Sequence, residues 1–465
     1  MRGTLFRLFP QATDSYPEPE LIEVSRPAGT VGPGPSDDRL IVVDAVDKVP
    51  YDPPLTLPPF RGAVRPPAWP DQNGDFAWIP IDTEQFLQAH LYGCVRLSVD
   101  VWEKYLGRTV RWMDLIGRER LELVPLVEWA NAQSGPGFME MGCQVNNEGE
   151  MRLFCLNADV IAHETGHTVL FAELGTPAQD RLTGEFLAFH ESLSDMTALL
   201  TALHFETVLD RVLTQTNGNM YVANDSNKIG ELSSTQQIRV ADNTTRMSDL
   251  AGLRLAASGD WIDPSGQGRN AHALAQPLTG ALFDFLVDLY QDNLVTRGVI
   301  APDDDARGWD RDEVDAAMAT LAATFGNRYE TLRGDFREAL VDARDTVGFV
   351  LGAMVDRVDI DDLSFGEVAG VLLEVTSELV GLYAADMLAE NLRWREIDPV
   401  VPARVTAGVM LATARRFRAG VPYAQQIGQF RALRHAACCL PARRHEGAVA
   451  FGLGKIIRAE HRRPD

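Results

Sequence analysis

The stretch "NADVIAHETGHTVLFAEL" (residues 157–174) constrains this chain more than any other. Its two histidines, His163 and His167, are four residues apart, and Glu164 follows the first. The surrounding residues are apolar and contain neither proline nor a turn signal, so the run reads as a buried helix over about 159–174. Residues four apart share one helical face, which points both imidazoles at a single spot. Neutral imidazole nitrogens ligate Zn²⁺, and a catalytic site needs three protein ligands with one position left open. Glu164 projects beside that spot without being needed as a ligand, the position of a general base.

A third ligand comes from "GEFLAFHESLSDMTALL", read as a second helix over about 184–205. Glu191 supplies a carboxylate, and Asp195 sits one turn later on the same face, where it can accept the second ring N–H of a ligand histidine. An apolar helix core has no reason to bury Glu164, Glu191 and Asp195 on converging faces, because an unpaired buried charge is costly. His190 and His204 read as satisfied or surface histidines on this helix, not as ligands.

Composition narrows the partners. The chain has 465 residues and a net charge of −23, too acidic to wrap nucleic acid or lie on an anionic membrane. No stretch carries the eighteen or so uninterrupted apolar residues of a membrane span. Five cysteines, Cys94, Cys143, Cys155, Cys438 and Cys439, are too few and too odd in number for a disulfide framework. With no signal-peptide pattern at the start, a cytoplasmic protein is expected, with export lacking a visible leader as the alternative.

Four regions follow along the chain. Residues 1–78 are rich in proline and glycine and read as an extended arm with one strand, "RLIVVDAV". Residues 79–205 begin with a helix capped by Asp82 and stopped by Gly107, continue through short β-like runs with a hairpin turn at "NNEG", and end with the two helices above. Residues 206–300 are turn-rich before a helical region starts, and 301–465 are helical with a basic tail. The class is α+β.

At this point the chain resembles the thermolysin-like metallopeptidases, of the gluzincin group. "DVIAHETGH" is similar to that family's zinc helix and "FHESLSD" to its glutamate helix; "QAHLYGCVRLSVDVWEKYLGR" resembles its long N-terminal helix. The resemblance implies a two-lobed fold: a mixed N-terminal lobe with the zinc helix, and a mostly helical C-terminal lobe. It implies Zn²⁺ on His163, His167 and Glu191, Glu164 as catalytic base, and Asp195 orienting a ligand histidine. "WANAQSGPGFMEMGC" resembles the substrate-binding edge strand, which would assign Asn131 and Ala132 to an extended peptide by strand addition. "TTRMSDLA" resembles the segment with a substrate-binding arginine, here Arg246. "NAHALAQPLTGALFD" resembles the segment whose histidine steadies the oxyanion, here His272. The family's oxyanion tyrosine is missing from "GTPAQD", and Gln267 stands where an acidic partner of that histidine is usual, with Asp260 or Asp263 as substitutes. Calcium stays open: Asp159 matches a calcium ligand by position and Glu231 is available, but the expected glutamate is replaced near Ala202.

The expected activity is hydrolysis of peptide bonds in peptides or proteins by a zinc metalloendopeptidase. The alternatives are a catalytically weak or inactive binding protein on that scaffold, and a zinc amidohydrolase acting on small substrates.

Overall fold

The computed structural model describes residues 2–53, 55–112, 119–135, 137–145, 149, 151–221, 228–233, 236–241, 243–255, 261–262, 271–307 and 311–400. The fold is mixed α/β, with small sheets and mainly helical structure after residue 271. No described helix is long and apolar enough to cross a membrane. The basic tail, with Cys438 and Cys439, lies outside the described residues, as do Gln267, Asp260 and Asp263.

The first 78 residues are not an arm. Strands β1 (Gly3–Leu8) and β2 (Glu20–Pro27) pair antiparallel, Phe6 opposite Ile22 and Thr4 opposite Val24. Phe6, Leu8, Phe9, Ile22 and Val24 are buried in the main core. Their seat is helix α1 (Glu84–Leu106), at Gly93: a Cβ there would stand 2.7 Å from Leu8 Cδ2. Polar clamps complete the join: Gln11 Nε2 donates to Asp159 Oδ2 (2.7 Å), Asp14 meets Arg152 (2.6 Å), and Glu20 accepts from the backbone N–H groups of Glu206 and Thr207. Glycine and proline make this region look open in sequence, but the few apolar residues between them are the ones buried. Asp159, matched above to a calcium ligand, is therefore engaged by Gln11.

A four-stranded sheet follows, in the order β3 (Leu40–Val42), β4 (Leu121–Val124), β6 (Phe138–Met141), β5 (Ala132–Gly135). β3 and β4 are parallel, as are β4 and β6, while β5 runs antiparallel to β6 at the edge. Alternation sends Leu121, Leu123, Met139, Met141 and Ala132 into the main core. The other face carries Glu122, Glu140 and Gln133, which a period-two reading would leave in water. Instead the proline-rich chain around residues 45–60 lies over it. Lys48 pairs with Glu140, the Tyr51 N–H donates to Glu140 Oε2 (2.9 Å), Gln133 Nε2 donates to the same oxygen (2.6 Å), and Tyr51 O–H donates to Glu122 (2.6 Å).

Helix α1 starts at Thr83, whose hydroxyl accepts from Phe86 N–H, and not at Asp82; Gly107 ends it in the left-handed region at φ 64°. β7 (Cys143–Val145) and β8 (Met151–Leu153) pair antiparallel, and residues 146–148 of the expected turn "NNEG" between them lie outside the described residues. α2 (Ala158–Leu174) and α3 (Gly184–Ala202) pack together and are buried almost all round, which fits their uniform apolarity. Asn157 caps α2 and Thr183 caps α3. The stretch read as turns from 207 opens with another helix, α4 (Glu206–Thr216). Two hairpins follow, β9 (Lys228–Ser233) with β10 (Gln236–Val240) and β11 (Arg254–Leu255) with β12 (Trp261–Ile262). Then come α5 (Ala271–Thr296), α6 (Arg311–Val355), kinked at Leu332, α7 (Phe365–Leu379) and α8 (Leu382–Trp394). α5 packs on α3, which brings its first turn to the residues that follow.

Candidate metal centre

α2 and α3 approach closely at Gly166, between the two histidines. A Cβ there would lie 2.8 Å from Ser194 Cα and 2.9 Å from Thr197 Oγ1. Glycine thus lets the second helix come close enough for its carboxylates to reach the first helix's rings. Thr197 is itself held by the Trp102 indole N–H of α1 (3.0 Å).

His163, His167 and Glu191 converge there. His163 Nε2 and His167 Nε2 are 3.2 Å apart. Glu191 Oε2 is 3.3 Å from His163 Nε2, and Oε1 is 3.7 Å from His167 Nε2. Ligands about 2.0–2.1 Å from a tetrahedral ion lie about 3.3–3.4 Å from one another, so this spacing fits a single ion. The three ligating atoms all lie within 4.8 Å of one another. The protonation states suit the task. Burial pushes His167 well below the ordinary imidazole value, keeping a lone pair available. Burial would push Glu191 up, but His272, His167 and His163 together hold its carboxyl well below the usual range.

The surroundings differ from ring to ring. Asp195 Oδ1 lies 2.9 Å from His163 Nδ1, so that nitrogen donates and Nε2 is left to face Glu191. His272, in the first turn of α5, places Nδ1 2.7 Å from Glu191 Oε2. It is the exposed member of the group: its side chain is 25% accessible, while His163, Glu164, His167, Glu191 and Asp195 are at most 2% exposed. Glu164 lies on α2 directly after His163, completely buried.

Other expected residues are placed elsewhere. Asn131 and Ala132 stand at the start of edge strand β5, which packs on α2, but both have no exposed surface; Asn131 Oδ1 accepts from Ala132 N–H (3.0 Å). Arg246 is turned to the end of α8, with its guanidinium 4.4 Å from the Trp394 ring and 4.0 Å from Glu396. Cation–π attraction to an indole, which Arg395 also approaches at 4.6 Å, competes with any role at the histidines. His204 Nδ1 donates to the Leu200 carbonyl (2.7 Å), and burial pushes its pKa down to about 4. His190, read above as a satisfied or surface histidine, is buried with its ring against His167. Nothing in a single sequence reveals this, since adjacency to Glu191 does not say which neighbour the ring meets.

No family model matches this chain, and no curated protein matches it. Among solved structures, the precursor of protealysin, a metalloproteinase from Serratia proteamaculans, matches with a TM-score of 0.45 at 13% identity, covering 82% of this chain and 90% of that one. What can be said of the chemistry comes from the site: two imidazoles and a carboxylate, from two adjoining helices, form a group that could hold a metal ion.

Proposed function

We propose that this chain is a zinc-dependent hydrolase of peptide bonds. The observation that carries the reading is the mutual spacing of His163, His167 and Glu191, 3.2, 3.3 and 3.7 Å between donor atoms, with an acid next in sequence. Two imidazoles and one carboxylate are a donor set for zinc that leaves a coordination position open. When bound, the ion supplies Lewis-acid polarisation of the scissile carbonyl and acidifies the attacking water. Glu164 accepts that water's proton and passes it to the leaving amine. Asp195 keeps His163 protonated at Nδ1, which leaves Nε2 as a donor. His272 is the group that solvent reaches, so it is the side chain placed to meet substrate and to donate to a developing oxyanion. Edge strand β5, with Asn131 and Ala132, would pair with an extended peptide once its edge is uncovered; Arg246 would have to leave Trp394 to take part.

Metal content per chain, measured beside chelator-sensitive cleavage of denatured casein, tests the reading. Glu164→Gln should retain the metal and lose at least about 100-fold in kcat, the scale of a general base. Full activity in that variant removes Glu164 from the chemistry. A second reading has an observation in its favour: the near-complete burial of the ligands and Glu164 fits a metal-holding scaffold with little turnover. Stoichiometric zinc with no cleavage of casein or short peptides would establish it.

A further inference from the structure

The edge of the His167 ring that faces away from Glu191 meets a residue the proposed chemistry does not use. His190 Nδ1 lies 3.3 Å from His167 Nδ1. The two ring planes are 10° apart and their centroids are separated by 5.6 Å. That separation is the nitrogen–nitrogen gap plus both ring radii, so the nitrogens lie on the line joining the rings. The contact is an edge-to-edge hydrogen bond in a shared plane, not a face-to-face stack. Phe171 and Phe186 hold His190 in place, with centroids at 4.5 and 5.0 Å, and the residue is 4% exposed.

A hydrogen bond between two like nitrogens allows one donor and one acceptor. If His167 turns Nε2 to a metal, its proton must sit on Nδ1, and Nδ1 donates. His190 then accepts at Nδ1 and carries its own proton on Nε2. Among the described residues that Nε2 has no hydrogen-bond partner, and its surroundings are aromatic, where an N–H finds only weak contacts. The unsatisfied donor is a cost that makes sense if the acceptor on the other side of the ring is what the position is for.

We propose that His190 is a positioning residue that fixes His167 in the tautomer protonated at Nδ1, with the Nε2 lone pair aimed at the metal. The proposal rests on the metal centre argued above. It makes the two ligand histidines unequal: His163 is backed by the carboxylate of Asp195, His167 by a neutral imidazole. A carboxylate partner makes an imidazole a stronger donor, so His167 is the weaker of the two. Fewer than two turns of α3 then supply three functions: the support for His167 at 190, the ligand at 191 and the support for His163 at 195.

The test uses the full chain, stripped of metal and titrated with Zn²⁺ against a chromophoric chelator. His190→Phe keeps ring bulk but offers no acceptor, and is expected to weaken zinc binding about 10–100-fold, the range for lost outer partners of a ligand. His190→Gln restores an acceptor and should recover most of that loss. The visible spectrum of the Co²⁺-loaded protein should shift in the Phe variant and return toward wild type in the Gln variant. Long-range ¹H–¹⁵N spectra of the zinc-loaded wild type should show His167 protonated at Nδ1 and His190 at Nε2. Wild-type zinc affinity and an unchanged Co²⁺ spectrum in His190→Phe, or a His190 proton found on Nδ1, overturns the proposal. Should the Phe variant fail to fold, the wild-type spectra decide alone. A wild type that binds no zinc at all removes the metal centre itself, a failure distinct from zinc binding that ignores residue 190.

Discussion

Replacing Gly166 with alanine probes the geometry of the centre without touching any residue that forms it. The added methyl would stand 2.8 Å from Ser194 Cα, 2.9 Å from Thr197 Oγ1 and 3.0 Å from Ser194 Oγ. Comfortable separations for such atoms are about 3.5–4.0 Å, so α3 must retreat from α2 by about 0.5–1 Å. Glu191 sits three residues before Ser194 and retreats with it. Its 3.3 Å distance to His163 Nε2 would open toward about 4 Å, beyond the span that one ion with bonds of about 2.0–2.1 Å bridges at tetrahedral angles. Stability responds less. Alanine gains about 0.8–1.0 kcal/mol over glycine within a helix, against an overpacking cost of about 1–3 kcal/mol, leaving a net loss of about 0–2 kcal/mol. Chelator competition for zinc, with thermal melting of the metal-free protein alongside, separates the two effects. Zinc affinity should drop at least about tenfold while the metal-free Tm moves by a few degrees. Unchanged zinc affinity in a folded Gly166→Ala protein refutes the claim that helix proximity at this glycine sets the ligand spacing.

Two further outcomes follow from buried charge elsewhere. Lys48→Met removes the cation paired with buried Glu140 beneath the proline-rich covering of the sheet, and should cost about 3–5 kcal/mol in urea unfolding; a loss below about 1 kcal/mol would show that Tyr51 and Gln133 suffice. Burial raises Asp288 on α5 to about 7, opposed by its bond from Asn391 Nδ2 (2.7 Å). A carboxyl with a raised folded value stabilises fully below the unfolded value near 3.8 and loses that contribution as pH climbs through 7. Wild-type Tm should therefore fall between pH 5 and 8 more steeply than that of Asp288→Asn; parallel profiles would contradict the burial argument.

What was legible in the sequence depended on how local the cause was. The helix bearing His163 and His167 declares itself through the apolar residues on either side of the histidines, while its cap at Asn157 is seen only in the structure. Gly107 ends α1 for a reason internal to its own backbone, the left-handed φ. The cap at Thr83, one residue after the expected Asp82, is an error of the usual helix-end kind, since both residues accept well. Failures came where the partner was distant. Phe6 and Leu8 are sparse among prolines and glycines, and their burial depends on distant partners, Gly93 of α1 and the Phe76 and Tyr92 rings. Glu122 and Glu140 look like a solvated face until Tyr51 and Lys48 arrive from 71 and 92 residues away. Arg246 is drawn off by Trp394, a contact no motif encodes. The pairing of His190 with His167 belongs to the same class.

The covering of the sheet has a consequence for how the chain comes together. The segment with Lys48 and Tyr51 emerges from the ribosome long before its acceptors Glu122 on β4 and Glu140 on β6, and the full set of these contacts waits until residue 140 has been made. Contacts at such separation form late and slowly, so this segment's bonds to the sheet must wait while α1 and the strands are synthesised. At the production rate of about 5–20 residues per second, that wait lasts several seconds. Assistance that shields the segment around Lys48 and Tyr51 during those seconds should therefore raise the yield of folded protein more than assistance given after release.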